Sequence, residues 1–180
     1  MRVITGKARG IPLKTPDGML TRPTADRVKE ALFSIINFDL PDASVLDLFA
    51  GTGQLGIEAL SRGAKCAVFV DARDEACRLI RENLKRTSLL QAGQVIRSDY
   101  LDYLNRCTEQ FSIILLDPPY LEDYLEKAIK RITEIDILQT DGIIVTERPI
   151  GKEFPREFEG FQRSKDYKYG KTLLTILRKL

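Results

Sequence analysis

Asp47-Leu48-Phe49-Ala50-Gly51-Thr52-Gly53-Gln54-Leu55-Gly56 is the stretch that decides the fold. Gly51 to Gly56 fit GxGxxG, a pattern that carries meaning only between a strand and a helix. Both flanks are present. Ser44–Phe49 reads as a short buried strand, and a helix is expected to about Arg62, with Gly63 placed for its C-cap. Upstream, Arg22-Pro23-Thr24 reads as an extended entry and N-cap, with Asp26 in the first turn. Val28, Ala31, Leu32, Ile35 and Ile36 then share one face of a helix running to about Asn37.

Downstream the alternation continues. Strands are expected at Lys65–Asp71, Gln94–Asp99, Ser112–Asp117 and Gly142–Glu147, and helices at Arg73–Thr87, Tyr100–Arg106 and Tyr124–Thr133. Ser112–Asp117 is nearly all apolar, as the middle of a parallel sheet requires. This order predicts a doubly wound α/β sheet with helices on both faces. Two final strands, about Phe161–Tyr167 and Thr172–Arg178, have only Tyr169-Gly170-Lys171 between them and predict an antiparallel edge hairpin.

The acids at the strand ends select the ligand. A dinucleotide would lay a pyrophosphate over the glycine turn, yet Asp47 lies four residues before Gly51 and would repel it. S-adenosylmethionine instead carries an ammonium and a sulfonium, which a carboxylate attracts. Asp71 is placed to accept from ribose hydroxyls and Asp99 from an adenine amine. Asp117 ends the fourth strand, so four successive strands finish in Asp at the carboxyl edge, where open sheets bind ligands. The bland reading, solvated strand ends, covers one or two such residues better than four.

Asp117-Pro118-Pro119-Tyr120 points to the reaction. Two prolines remove two backbone donors and stiffen the chain, which leaves carbonyls free to accept. An exocyclic amine on a base is a poor nucleophile because its lone pair is delocalised into the ring. Acceptance of its two N–H bonds by the Asp117 carboxylate and the Pro118 carbonyl would turn that lone pair toward a methyl donor held in line. Tyr120 would stack on the base, which implies a base splayed out of its helix.

Composition agrees. The chain of 180 residues contains no His, which removes the imidazole-based triads and the commonest metal ligand. Its three cysteines, Cys66, Cys77 and Cys107, show no CxxC spacing and read as reduced packing residues. No apolar run approaches the ~18 residues of a membrane span, and the N-terminus lacks the apolar stretch of a signal peptide, so a cytoplasmic protein is expected. The net charge of +2 conceals basic ends on an acidic body. Arg2, Lys7, Arg9, Lys14 and Arg22 face a single acid, Asp17, in residues 1–22, and residues 160–180 hold six basic side chains against Asp166. Such ends suit a polyanion; charge alone leaves ordinary solvated faces as the other reading.

Asp47–Gly53 together with Asp117–Tyr120 resembles a class I S-adenosylmethionine-dependent amino-methyltransferase. Arg22-Pro23-Thr24, Arg27-Val28-Lys29-Glu30-Ala31-Leu32-Phe33, Leu60-Ser61-Arg62-Gly63-Ala64 and Tyr169-Gly170-Lys171-Thr172 extend the likeness over nearly the whole chain. With these blocks it resembles the bacterial small-subunit (16S) ribosomal RNA guanine-N2 methyltransferases. The resemblance implies a Rossmann-like seven-stranded mixed sheet with one reversed strand and a small basic N-terminal hairpin. It implies one domain over residues 1–180, with 1–22 contacting RNA and 23–180 forming the S-adenosylmethionine-binding catalytic core. The implied catalytic residues are Asp117, Pro118, Pro119 and Tyr120. The implied cofactor residues are Asp47, Phe49, Ala50, Gly51, Thr52, Gly53, Asp71, Asp99 and Tyr100, and the implied RNA contacts are Arg2, Lys7, Arg9, Lys14, Arg22 and Arg27. It further implies a monomer without a metal, which releases S-adenosylhomocysteine and acts on 16S rRNA within a small ribosomal subunit or its assembly intermediate.

The chain departs from the family pattern at three positions. Phe49 stands where many methyltransferases have a glycine, Gln54 replaces a small residue after the second glycine, and Asp71 replaces the usual Glu. Competing readings are an adenine-N6 or other amino-methyltransferase on nucleic acid, a glutamine-amide enzyme, a non-catalytic RNA-binding module and an NAD-dependent oxidoreductase. Glutamine enzymes begin the tetrapeptide with Asn, which Asp117 opposes, and Asp47 opposes NAD.

Overall fold

The computed structural model describes residues 1–16, 23–119 and 123–180. Its elements in chain order are α1 (Pro23–Ile35), β1 (Ser44–Asp47), α2 (Gln54–Ser61), β2 (Cys66–Asp71), α3 (Asp74–Arg86), β3 (Gly93–Arg97), α4 (Tyr100–Leu104), β4 (Phe111–Leu116), α5 (Tyr124–Ile135), β5 (Leu138–Pro149), β6 (Phe161–Arg163), β7 (Tyr167–Tyr169) and β8 (Thr172–Lys179). The sheet runs β3-β2-β1-β4-β5-β8-β6, with β7 also on β8. The first five of these strands are parallel, and β8 alone is reversed.

Each central strand is apolar along its length because both faces are covered. Val45, Phe69, Ile113, Leu115 and Val145 point into a core shared with α1, α2 and α3. Leu46, Val70, Ile114, Leu116 and Ile144 point into a second core with α4 and α5. The chain leaves β1 toward β2 and β3, then returns to add β4 on the other side of β1. This reversal opens a crevice at the carboxyl ends of β1 and β4, where such sheets take ligands.

Three expectations change in detail. The sheet has eight strands in seven positions, because the last edge strand is broken. Between β6 and β7, Ser164 N–H donates to Ile176 O (2.9 Å), but Ile176 N–H donates to Ser164 Oγ (3.0 Å), so a side chain replaces the ladder carbonyl. β3 ends at Arg97 rather than Asp99, and Asp99 caps α4 by accepting from Leu101 N and Asp102 N. β5 begins at Leu138, but its register with β4 jumps from Leu138–Phe111 to Ile143–Ile113, so the core pairing starts next to the expected Gly142. Among the described residues no helix is long and apolar enough to cross a membrane.

The N-terminal segment folds back as the expected hairpin, with Val3 N on Ile11 O (3.0 Å) and Leu13 N on Met1 O (3.0 Å). Val3, Ala8 and Leu13 are buried in the same core as α1 and α2. The hairpin closes onto α2 so tightly that a Cβ at Gly6 would lie 1.9 Å from Ser61 O. Glu58, fully buried on α2, holds it there. Its carboxylate accepts from Ile4 N (2.8 Å), Thr5 N (3.0 Å) and Arg62 Nε (2.8 Å). Lys29 Nζ, also buried, stands 3.5 Å from Glu58 and donates to Arg2 O (2.6 Å).

Removing one partner of a buried ion pair leaves the other charge uncompensated, which typically costs ~3–5 kcal/mol. Glu58→Ala is expected to destabilise the fold by that order, read from urea unfolding midpoints, with Glu58→Gln losing less. A loss under about 1 kcal/mol for Glu58→Ala would show that apolar contacts alone dock the hairpin.

Candidate active site

A cleft of about 560 Å³ opens at the carboxyl edge over β1 and β4. Asp47, Phe49, Ala50, Gly51, Thr52, Asp71, Asp99, Tyr100, Asp117, Pro118 and Pro119 all line it, so the structure gathers most of the residues singled out by sequence. Gly53 lies behind the wall as the N-cap of α2. Tyr120 lies outside the described residues, as does Arg22.

Asp47 is fully buried at the end of β1, and its Oδ2 accepts from Gly56 N (2.9 Å). Gly56 is required here, because a Cβ would meet the Phe69 ring at 2.3 Å. The helix therefore presses onto β2 and presents its first-turn amide to Asp47. Burial pushes the Asp47 carboxyl up to about 7; the Gly56 bond opposes this, and the charges of Asp117 and Asp71 add to it. Asp117, half-buried just past β4, is pushed up to about 6 by burial. The two carboxyls thus sit together in a low-dielectric cleft, where a cation is the natural partner.

Asp71 closes the other side of the glycine turn. Its Oδ2 accepts from Gly51 N (2.9 Å), and its Oδ1 accepts from Arg73 N (2.9 Å) and Arg73 Nε (3.2 Å). Ribose hydroxyls would compete there with the exposed Arg73 guanidinium, a cheap exchange for a solvated ion pair. Asp99 spends Oδ1 on the α4 cap. Opposite these acids, Phe49 and Tyr100 lie with ring centroids 5.0 Å apart, and Tyr124 meets Tyr100 edge-on at 5.3 Å.

Sequence reasoning missed several contributors. Tyr124, Arg73, Leu79, Met1 and Pro16 also line the cleft, the last two brought by the hairpin. Asn83 ties that hairpin to the glycine turn. Its Oδ1 accepts from Lys14 N (2.7 Å), and its Nδ2 donates to Lys14 O (3.0 Å) and Thr52 O (2.9 Å). The available signal was an Asn between Ile80 and Leu84 on the inward stripe of α3, a polar group that burial obliges to find partners.

The basic residues divide. Arg2, Arg9 and Arg27 line one cleft between the hairpin and α1, together with Asp26 and Glu30. Lys7 is exposed at the hairpin turn, with its backbone N on Ser61 O (2.8 Å). Lys14 instead pairs with Glu82 on α3. Among the described residues no group of three or more Cys, Asp or Glu is arranged to hold a metal ion.

The chain belongs to the family described as "Conserved hypothetical protein 95", which matches residues 1–178. It is 40% identical to YlbH of Bacillus subtilis (strain 168), over 99% of both chains. It is 34% identical to the "Ribosomal RNA small subunit methyltransferase D" of Escherichia coli (strain K12), over 86% of this chain and 78% of that one. The solved structure of yhhF from Escherichia coli superposes with a TM-score of 0.89 at 30% identity, covering 99% of this chain and 97% of that one.

The raised carboxyls make cation binding depend on pH. Below about 6 both Asp47 and Asp117 hold protons, and above about 7 both are charged. Affinity for S-adenosylmethionine is expected to rise from pH 5 to 8 and level off above about 7, by at most roughly tenfold per unit for each proton released. The sign for stability is the reverse. A carboxyl whose folded value lies above its ordinary 3.8 stabilises most when protonated, so without ligand the Asp47 contribution is lost as pH rises through about 7. Asp47→Asn should flatten both trends. Calorimetric affinity that is constant across this range would contradict the assignment.

Proposed function

Because the chain belongs to this family, we propose that it transfers a methyl group from S-adenosylmethionine to the exocyclic N2 amine of a guanine in small-subunit ribosomal RNA. The observation that carries the reading is the meeting of Asp117-Pro118-Pro119 with Asp47, Asp71 and the Phe49–Tyr100 wall in one cleft. The name of the Escherichia coli relative, an rRNA small-subunit methyltransferase, supports the substrate class.

The residues fit the methyl donor. Buried carboxyls suit its two cationic centres, Asp71 and Asp99 suit its hydroxyls and amine, and the aromatic wall suits adenine. When bound, S-adenosylmethionine supplies an electrophilic methyl group on sulfur. The chain's own part is to capture and orient the amine. The Asp117 carboxylate and Pro118 carbonyl accept the two N–H bonds, which turns the nitrogen lone pair out of conjugation. As the new carbon–nitrogen bond forms and the carbon–sulfur bond breaks, the nitrogen sheds one proton to Asp117 and then to solvent. An acceptor held near 6 can take that proton at neutral pH and release it again. Tyr120, next in sequence, stacks on the base.

RNA is held from outside the cleft by Arg2, Arg9 and Arg27, with Lys7 at the hairpin turn. The substrate is 16S rRNA, presented by a small subunit or its assembly intermediate, and one copy of the chain suffices. With three or four phosphates neutralised, log affinity against log salt should fall with a slope of roughly −2 to −4. A flat salt dependence would return these side chains to ordinary surface.

Nucleoside mass spectrometry of small-subunit rRNA, incubated with the protein and labelled donor, should show N2-methylguanosine. N6-methyladenosine in its place would overturn the guanine assignment. Asp117→Ala removes an acceptor that acts on the reacting nitrogen and should slow single-turnover transfer on the order of 10²-fold or more. Tyr120→Phe keeps the ring and should stay largely active. A fully active Asp117→Ala chain would sink the mechanism.

A further inference from the structure

The structure sorts the basic side chains of residues 160–180 into paired and unpaired. Arg163 shares Asp166 with the buried Arg148 (2.8 and 2.6 Å), Arg178 pairs with Asp39 (2.8 Å) and Lys179 with Asp136 (2.6 Å). Lys165, Lys168 and Lys171 remain. All three are exposed, and none has a carboxylate within ion-pair distance among the described residues. Lys165 Nζ rests 5.4 Å from the centre of the Tyr167 ring, a contact that leaves its charge uncancelled. Glu153, Glu157 and Glu159 of the loop between β5 and β6 form no ion pair with these lysines.

Their order along the fold leads to the cleft. Lys165 stands in the break between β6 and β7, Lys168 in the middle of β7 and Lys171 in the turn into β8. β5 runs parallel to β4, and β8 starts at the end of β5, with Thr172 across from Pro149. Ile150 N–H donates to Lys171 O (3.0 Å), so this turn lies at the same carboxyl edge as Asp117. Tyr167 and Tyr169 pack against the core shared with α1, α2 and α3, which pins β7 and turns Lys168 to the opposite face. From β4 through β5 and β8 to β7 the sheet spans three strand spacings, roughly 14 Å. A few nucleotides of RNA strand cover that distance.

Lysines also guard sheet edges against pairing with other chains. Here that task is already met. β6 and β7 have three residues each, and the Ser164 hydroxyl interrupts the ladder between them. The opposite edge strand, β3, carries one basic side chain, Arg97, and it pairs with Asp74 (3.9 Å). Uncancelled positive charge collects on the edge that leads to the cleft.

We propose that Lys165, Lys168 and Lys171 form a second phosphate-binding track, which holds the RNA strand on the β5 side of the cleft. The inference rests on the RNA substrate proposed above. The hairpin packs on α2 and α3 instead, so the two basic surfaces are separate. α1 joins them, since Arg27 borders the hairpin opening and the same helix lies against β7. A strand anchored at both is held on either side of the base that enters the cleft.

The triple variant Lys165→Gln, Lys168→Gln, Lys171→Gln tests the track in the full chain. Its affinity for a small-subunit ribosomal RNA transcript should fall roughly tenfold to a hundredfold at ~0.1 M salt. Its log–log salt slope should become shallower by about 2, the share of three single-strand contacts, which leaves the part ascribed to the hairpin and α1. Lys168→Gln alone should take about a third of that change in slope. Lys165→Arg, Lys168→Arg and Lys171→Arg together should keep affinity and slope, because the charge stays. The glutamine variant should bind S-adenosylhomocysteine as the unsubstituted chain does, which separates lost RNA contacts from lost folding. Unchanged RNA affinity and slope in the glutamine variants would overturn the track and leave the RNA reading standing. Preference of the unsubstituted chain for polyglutamate over the transcript, lost with the three lysines, would assign the track to an acidic protein and overturn RNA as its occupant. An unsubstituted chain that binds no small-subunit RNA would overturn the substrate reading together with this one.

Discussion

The eight-residue helix α2 is the constraint on which the rest hangs, because seven of its residues are buried. A helix enclosed on so many sides has no solvated face to relax toward. On its sheet side, Gly56 lets the backbone approach Phe69 and deliver an amide to Asp47. On its outer side, Glu58 and Ser61 are polar groups that would be intolerable in a core without partners. The hairpin supplies them. Ile4 N and Thr5 N go to Glu58, and Ser61 Oγ accepts from Ala8 N and donates to Thr5 O. Cleft and hairpin therefore share one rigid body, and the hairpin is part of the fold as well as a candidate RNA contact.

That arrangement explains why Met1 and Pro16 reach the cleft and why Asn83 is placed where it is. An amide that bonds Lys14 at both backbone atoms and Thr52 at a third fixes the hairpin's exit relative to the glycine turn. The same economy costs stability at the strand ends. Burying Asp47 next to Asp117 and Asp71 disfavours its charged form, and only the Gly56 amide opposes this among the influences on it. Binding sites commonly hold such tension, since groups arranged for a ligand are seldom those that suit the fold without it.

Much of this was legible in the chain. All-apolar runs such as Ile113–Leu116 and the glycine turn are direct consequences of a sheet covered on both faces, so the doubly wound sheet and its ligand edge followed from pattern. Strand ends were less legible, because an Asp that closes a strand and an Asp that caps the next helix look alike. Asp99 proved to be the second kind. Lys14 read as one basic residue among several, yet its partner Glu82 is 68 positions away and unmarked by any local signal. Lys29 read as part of a family block, and its burial against Glu58 depends on a hairpin whose Val3, Ala8 and Leu13 follow neither the helical nor the strand period. The break between β6 and β7 turns on one hydroxyl, Ser164 Oγ, accepting where a carbonyl would. Local propensity does not reveal contacts of that kind.

On the function proposed above, the separation of charge has a consequence for how substrate enters. The cleft is acidic, with Asp47, Asp71, Asp99 and Asp117 around its floor, while Arg2, Arg9 and Arg27 outnumber Asp26 and Glu30 at a different opening between the hairpin and α1. An RNA backbone is repelled from the first and drawn to the second. A guanine base is neutral, with an amine to donate, and only such a group can approach those carboxylates without electrostatic cost. The backbone then stays outside while the base leaves its stack and goes in, which is the geometry that chemistry on a base edge demands. Selection of a splayed base is in that sense written into the charge distribution before any base-specific contact forms. The rigid link through Glu58 and α2 holds the two openings at a fixed spacing, so the reach from anchored phosphate to cleft is set by the fold.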